Sequence, residues 1–178
     1  MSLTCKVGGA RETFEPGLGR EVAGVLDNAF GAENEWEGTG PRAFGDLIGS
    51  SWADFQTRAV EELGKNELPN LLAMNAEGGG VYLPAHVQPV SLPLSAGKGL
   101  RCASLPGLRR ELVALAERWD LPQEDEALRD ILRVAQDSVD GPVADLPEVL
   151  TFARLMLAAN EAVRRDCPLW LVGDAGEE

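Results

Sequence analysis

Val81-Tyr82-Leu83-Pro84-Ala85-His86-Val87-Gln88-Pro89-Val90-Ser91-Leu92-Pro93-Leu94 is the stretch on which the reading of this chain turns. Val81, Leu83, Ala85 and Val87 alternate with Tyr82, Pro84 and His86, the period of two expected of a strand with one face toward a core. At Pro89 the parity slips, and Val90, Leu92 and Leu94 resume the apolar face, so a break or bulge is expected there. Pro84, Pro89 and Pro93 lack the amide that a central strand donates, which predicts a position at a sheet edge.

The stretch lies in a wider segment, 71–105, whose only charged residues are Glu77, Lys98 and Arg101. Such a charge-poor run of Val, Leu, Pro and Gly is what a buried sheet looks like. Leu3–Val7, Leu100–Ala103 and Cys167–Val172 are further strand candidates. On either side the chain turns helical. Leu18–Phe30 and Trp52–Leu63 read as amphipathic helices, with Gly49-Ser50-Ser51 as a helix start capped by Ser50 or Ser51. Leu108, Leu112, Leu115 and Trp119 form one helical stripe, and Leu128, Ile131, Leu132, Ala135 and Val139 form another. Ser104-Leu105-Pro106, Asp120-Leu121-Pro122 and Asp145-Leu146-Pro147 each place a capping side chain two positions before a proline, a helix-start grammar. Gln123 and Glu148 would complete capping boxes with Asp120 and Asp145. The helix from Leu146 to Arg165 is apolar nearly all round, with a polar strip through Thr151, Arg154, Glu161 and Arg165, so it is expected at the centre. Gly31–Gly49 is Gly-rich, acidic and aperiodic, and reads as a long loop.

These readings predict one domain spanning 1–178 in the α+β class, with a small, mostly antiparallel sheet built from the middle segment and the terminal strands and covered by about five helices. At 178 residues the chain is long enough to bury a substantial core without a disulfide or metal.

Charge narrows the function classes. The formal net charge is −13, from 29 acids against 16 bases, and the sequence pI is near 4.5. Nucleic acid and anionic membrane surfaces both demand clustered Lys and Arg, so neither is expected as a partner. No apolar run is long enough to span a bilayer, and the opening residues carry no signal-peptide hydrophobic region. Cys5, Cys102 and Cys167 are an odd, widely spaced set, consistent with free thiols in a reducing cytoplasm.

Few residues point to chemistry. Cys5, His86, Cys102 and Cys167 would together satisfy a tetrahedral zinc site, but none stands at the close spacing that marks one, and no metal or cofactor is expected. Hydrolysis would require His86, the only histidine, as base, and there is no Gly-x-Ser-x-Gly elbow. A lone histidine on the polar side of a prolyl strand is expected to be exposed. Ser95-Ala96-Gly97-Lys98-Gly99 lacks the spacing of a phosphate loop and reads as a turn between strands. Glu77-Gly78-Gly79-Gly80 precedes a strand and not a helix, so it reads as a loop with close backbone approach. The acids in Gln123-Glu124-Asp125-Glu126 complement a helix dipole.

Trp36 among Glu33, Glu35 and Glu37 is harder to dismiss. It is either a tethered apolar plug or an exposed anchor for a partner, since Trp dominates interface hot spots. The leading expectation is a non-enzymatic cytoplasmic protein that binds a partner with a basic surface, an inhibitor or immunity-type protein being one concrete form. The alternative is a small enzyme or ligand-binding domain using Tyr82, His86 and a nearby Cys. Tyr82 and His86 would share a strand face about 13 Å apart, too far for contact without a fold-back.

Overall fold

The computed structural model describes residues 2–31, 40–77, 79–97, 99–137 and 147–173. The strands are β1 (Ser2–Val7), β2 (Arg42–Ile48), β3 (Gly80–Leu83), β4 (Val90–Pro93), β5 (Gly99–Ser104) and β6 (Leu169–Gly173). The helices are the single turn α1 (Ala10–Thr13), then α2 (Pro16–Phe30), α3 (Gly49–Leu63), α4 (Leu105–Trp119), α5 (Asp125–Asp137) and α6 (Pro147–Arg165). The six strands form one sheet in the order β2-β1-β6-β3-β5-β4. Every neighbouring pair is antiparallel except β3 with β5. The α+β architecture with a mostly antiparallel sheet agrees with the sequence reading. No helix of the described residues is long and apolar enough to cross a membrane.

The alternation of side chains along each strand sorts the core into two. Leu3, Cys5, Val7, Tyr82, Ala103, Leu169 and Leu171 face α3, α4 and α6, where Trp52, Phe55, Leu112, Phe152 and Met156 complete the larger core. Val81, Leu83, Leu100, Cys102 and Trp170 face the opposite way, against Ala10, Val22, Ala23 and Leu26 of α1 and α2. Trp170 anchors this smaller core, with Phe14 edge-on at 5.1 Å and its indole N–H donating to Gly8 O at 2.8 Å. As expected from its apolar circumference, α6 is central, with Phe152, Ala153, Leu155, Met156, Ala158, Ala159 and Ala162 all buried. Thr151, expected on its polar strip, is buried as well.

The decisive stretch is placed differently from its sequence reading. It holds two strands, not one: Val90–Pro93 is separate, and Gly80–Leu83 is internal, between β6 and β5, with all four residues buried. Covered on both faces, it has no polar side, so Tyr82 is as buried as Val81. The chain turns immediately after Leu83, where the Ala85 amide donates to Leu83 O at 2.7 Å. Pro84 and Pro89 therefore punctuate a loop over 84–89 and do not mark an edge strand. The parity slip is that loop, the break expected at Pro89, and β4 resumes beyond it. The edge position belongs to β4, which contains Pro93 and pairs only with β5.

Two other expectations are corrected. Part of the Gly31–Gly49 loop is the edge strand β2, paired with β1. Its alternation is hidden because the register shifts opposite Cys5, where Phe44 and Gly45 form a bulge, and because Arg42, Ala43, Gly45 and Asp46 are exposed. Asp120 does not start a helix. It ends α4 in the left-handed conformation at φ 53°, and α5 begins only at Asp125. A single left-handed residue can turn a chain out of a helix, which leaves Leu121-Pro122 in the connection. Gln123 accordingly makes no capping box and instead offers its carbonyl to Asn160 Nδ2 at 3.1 Å. Because α3 begins at Gly49, Ser50 and Ser51 lie inside its first turn. Asp145 and Leu146 lie outside the described residues.

The turn readings hold. The hairpin of β4 and β5 turns after Leu94, whose carbonyl accepts from the Gly97 amide at 3.1 Å. Gly79 and Gly80 meet neighbouring backbone closely: a Cβ on Gly79 would lie 1.9 Å from Leu171 O, and one on Gly80 would lie 2.6 Å from Arg101 O.

Candidate functional site

The best-defined polar arrangement is built at the junction of β5 and α4. Ser104 caps α4 as its sequence predicts, its Oγ accepting from the Gly107 amide at 3.0 Å. Pro106, at the second helical position, has no amide to leave unpaired. One turn further along, Glu111 points back into the protein and is 7% exposed. One carboxylate oxygen accepts from the Asn70 amide at 2.9 Å and from Asn70 Nδ2 at 2.7 Å, and the other accepts from the Leu71 amide at 2.7 Å. Asn70 Oδ1 in turn accepts from the Ser104 amide at 3.0 Å. The turn at 70–73 is thus tied to both β5 and α4 through one asparagine. Only glycine fits beneath it, because a Cβ on Gly107 would come 2.3 Å from Asn70 Nδ2.

Electrostatics here are governed by burial. Loss of solvent pushes the Glu111 carboxyl above its ordinary 4.5, while the hydrogen bonds from Asn70 and Leu71 and the nearby Arg110 pull the other way. Burial also pushes the Tyr82 phenol well above its ordinary range, with the charges of Glu111 and then Cys5 acting in the same direction. Tyr82 Oη has no hydrogen-bond partner among the described residues.

Above this network lies a cleft of about 200 Å³, lined by Pro69, Asn70, His86, Val87, Gln88, Pro89, Ser104, Gly107 and Arg110. It opens at the carboxyl ends of β3 and β5, between the 84–89 loop and the start of α4. That is where ligands commonly bind in sheets with parallel strands. At the helix terminus the Gly107 amide is capped by Ser104, and Pro106 has no amide to offer. The side-chain groups with unspent hydrogen-bonding capacity include the exposed Arg110, His86 and Gln88 side chains and the Ser104 hydroxyl proton.

A second cleft, of about 290 Å³, lies at the other end of α4 and includes Arg58, Glu62, Arg118, Trp119 and Glu148. Its two arginines face two glutamates, and Arg58 is already paired with Glu62 at 3.7 Å. It offers no net charge preference.

The residues singled out from the sequence fare unequally. Trp36, Glu33, Glu35 and Glu37 lie outside the described residues. Of the alternative pair, His86 is exposed and lines the first cleft, whereas Tyr82 is in the core below it, because the strand ends at Leu83. The cysteines do not gather around His86. Cys5 and Cys167 sit in the larger core and Cys102 in the smaller one, across the sheet. Burial pushes the Cys5 thiol up to about 12, despite Arg154, and the Cys102 thiol up to about 12. Such thiols stay protonated and unreactive near neutral pH. Among the described residues, no group of three or more His, Cys, Asp and Glu is placed to hold a metal ion.

Sequence reasoning missed Asn70, Arg110 and Glu111, which converge with His86 only through long-range pairing. One signal was available: the charge-poor run through 71–105 supplies most of the cleft wall, and so leaves it free of carboxylates. No protein-family model matches this chain, and comparison with curated proteins and with solved structures likewise finds no match.

Proposed function

We propose that this is a non-enzymatic protein of the cytoplasm that binds a protein partner through that partner's basic surface, with inhibition of a basic effector as one form of the activity. The observation that carries the reading is the uncompensated charge of −13. Arg42, Arg58, Arg129, Arg133 and Arg164 each lie within 3.7 Å of a carboxylate of this same chain. Their charge is matched locally. Asp54, Glu61, Glu67, Glu117 and Glu126 are exposed and make no ion pair among the described residues. A surface of this kind steers a cationic partner and raises the association rate, an effect that salt screens.

Trp36 is the anchor in this proposal, and Glu33, Glu35 and Glu37 surround it with charge complementary to the partner. The segment is tethered between the end of α2 at Phe30 and the edge strand β2 at Arg42. An aromatic anchor supplies the short-range affinity that long-range steering does not.

The test is affinity capture of the tagged protein from its own cell extract at low salt, followed by kinetics on the recovered partner. One basic protein retained near one-to-one is expected. Its association should slow at least tenfold on raising salt from about 0.01 M to 0.5 M, where the screening length shrinks several-fold. Trp36→Ala should raise the dissociation rate. An association rate that ignores salt, or recovery of no basic protein, overturns the proposal.

A further inference from the structure

We infer that the cleft between the 84–89 loop and the start of α4 binds a small oxyanionic ligand, a carboxylate or a phosphate, through Arg110, His86 and the Ser104 hydroxyl. The carrying observation is compositional and local. The chain has 29 acidic residues, yet the wall of this cleft has none, and it presents one guanidinium and one imidazole. The second cleft differs in that two glutamates stand beside its two arginines.

The geometry supports an oxyanion in three further ways. Arg110 is exposed and makes no ion pair or hydrogen bond to another described residue, so its planar fork is available for a carboxylate or phosphate. Glu111, next to Arg110 in the sequence, is turned inward with both oxygens bonded to the 70–71 backbone and Asn70, so it feels the Arg110 charge without forming an ion pair with the guanidinium. Ser104 Oγ accepts from Gly107 and keeps its own proton to donate. The floor under the ligand is fixed beforehand, since Asn70 is bonded to Glu111 and Ser104 and wedged against Gly107. Ordering by the ligand is thus confined to the exposed Arg110 and His86 side chains. A volume of about 200 Å³ admits a molecule, or a ligand group, of a few heavy atoms.

His86 is the only histidine, so its imidazole resonances report on the cleft without ambiguity. Inorganic phosphate and lactate are titrated separately into the full-length chain at fixed pH and ionic strength, with chloride as the balancing ion. A saturable shift of the His86 resonances is expected with at least one probe. The probe that saturates at lower concentration distinguishes phosphate from carboxylate recognition. Arg110→Ala should weaken that binding at least tenfold, and Arg110→Lys by less, because a point charge replaces the fork. Arg118→Ala removes the same charge from the other cleft and should leave the titration unchanged. Absence of a saturable shift with both probes overturns the inference. So does unchanged affinity in a folded Arg110→Ala variant, or an equal loss in Arg118→Ala, which would make the effect one of net charge.

Discussion

The two ends of α4 solve the same problem in opposite ways. At its start, the polar side chains that enter the protein find partners: Ser104 caps the helix, Glu111 accepts three hydrogen bonds, and Asn70 joins them. At its finish, Trp119 packs against Phe55 and Phe152 at centroid distances of 5.9 and 6.2 Å, and its buried Nε1 has no partner among the described residues. The first end is held by directional bonds and the second by shape. A directional network fixes positions to within a hydrogen bond's tolerance, which a ligand site needs; aromatic packing supplies stability without directional bonds and has to offset the cost of the unpaired donor. The candidate cleft lies over the end that is fixed.

The sharpest way to break this contrast is Glu111→Ala. It strips the acceptor from the buried amides of Asn70 and Leu71 and from Asn70 Nδ2. A loss of about 3 kcal/mol is expected from the orphaned donors. Urea unfolding measures it, and a loss below about 1 kcal/mol would show that the network does not hold this end together.

A milder perturbation uses pH. Burial raises the Glu111 carboxyl above its ordinary 4.5 in the folded protein. The folded state therefore holds this proton more tightly than the unfolded chain does. The associated stability is present below pH 4.5 and is lost as pH rises through the folded value. Glu111→Gln removes this titration. The difference in unfolding free energy between the native chain and Glu111→Gln should thus change across mildly acidic pH, with the native chain losing ground as pH rises. A pH-independent difference would mean that the network's hydrogen bonds cancel the desolvation.

The smallest effect concerns the other end. Asp120 holds φ 53° at the helix C-terminus, where both its Cβ and its negative charge are unfavourable. Asp120→Gly relieves both at the cost of added freedom in the unfolded chain, and should stabilise the protein by about 0.5–1 kcal/mol. A rise in the urea midpoint without a change in slope is the expected result, and a fall would mean that the Asp120 side chain has a role in the connection to α5.

Particular residues show where sequence reasoning succeeded. Ser104-Leu105-Pro106 started a helix because a cap and an amide-free residue act within one turn. The apolar circumference of α6 placed it at the centre because a helix wet on no side must be packed on several. The charge-poor run through 71–105 marked the sheet for the same reason, and it also left the cleft wall without carboxylates. The same local grammar misread Asp120-Leu121-Pro122, since cap residues and prolines also end helices. It missed β2, whose exposed, bulged edge carries no alternation.

What the sequence determined by itself is therefore local or compositional: where most helices lie, which segment is buried, and a net charge of −13. Only the tertiary structure decided that Gly80–Leu83 is an interior strand. That depends on β6 and β5 arriving from 86 or more and 16 or more residues further along the chain to cover its edges. It alone brought Asn70 under Glu111, 41 residues apart, and His86 beside Arg110. Strand pairing and buried hydrogen bonds at such separations follow from how the whole core closes. No periodicity or capping pattern within a short window encodes them.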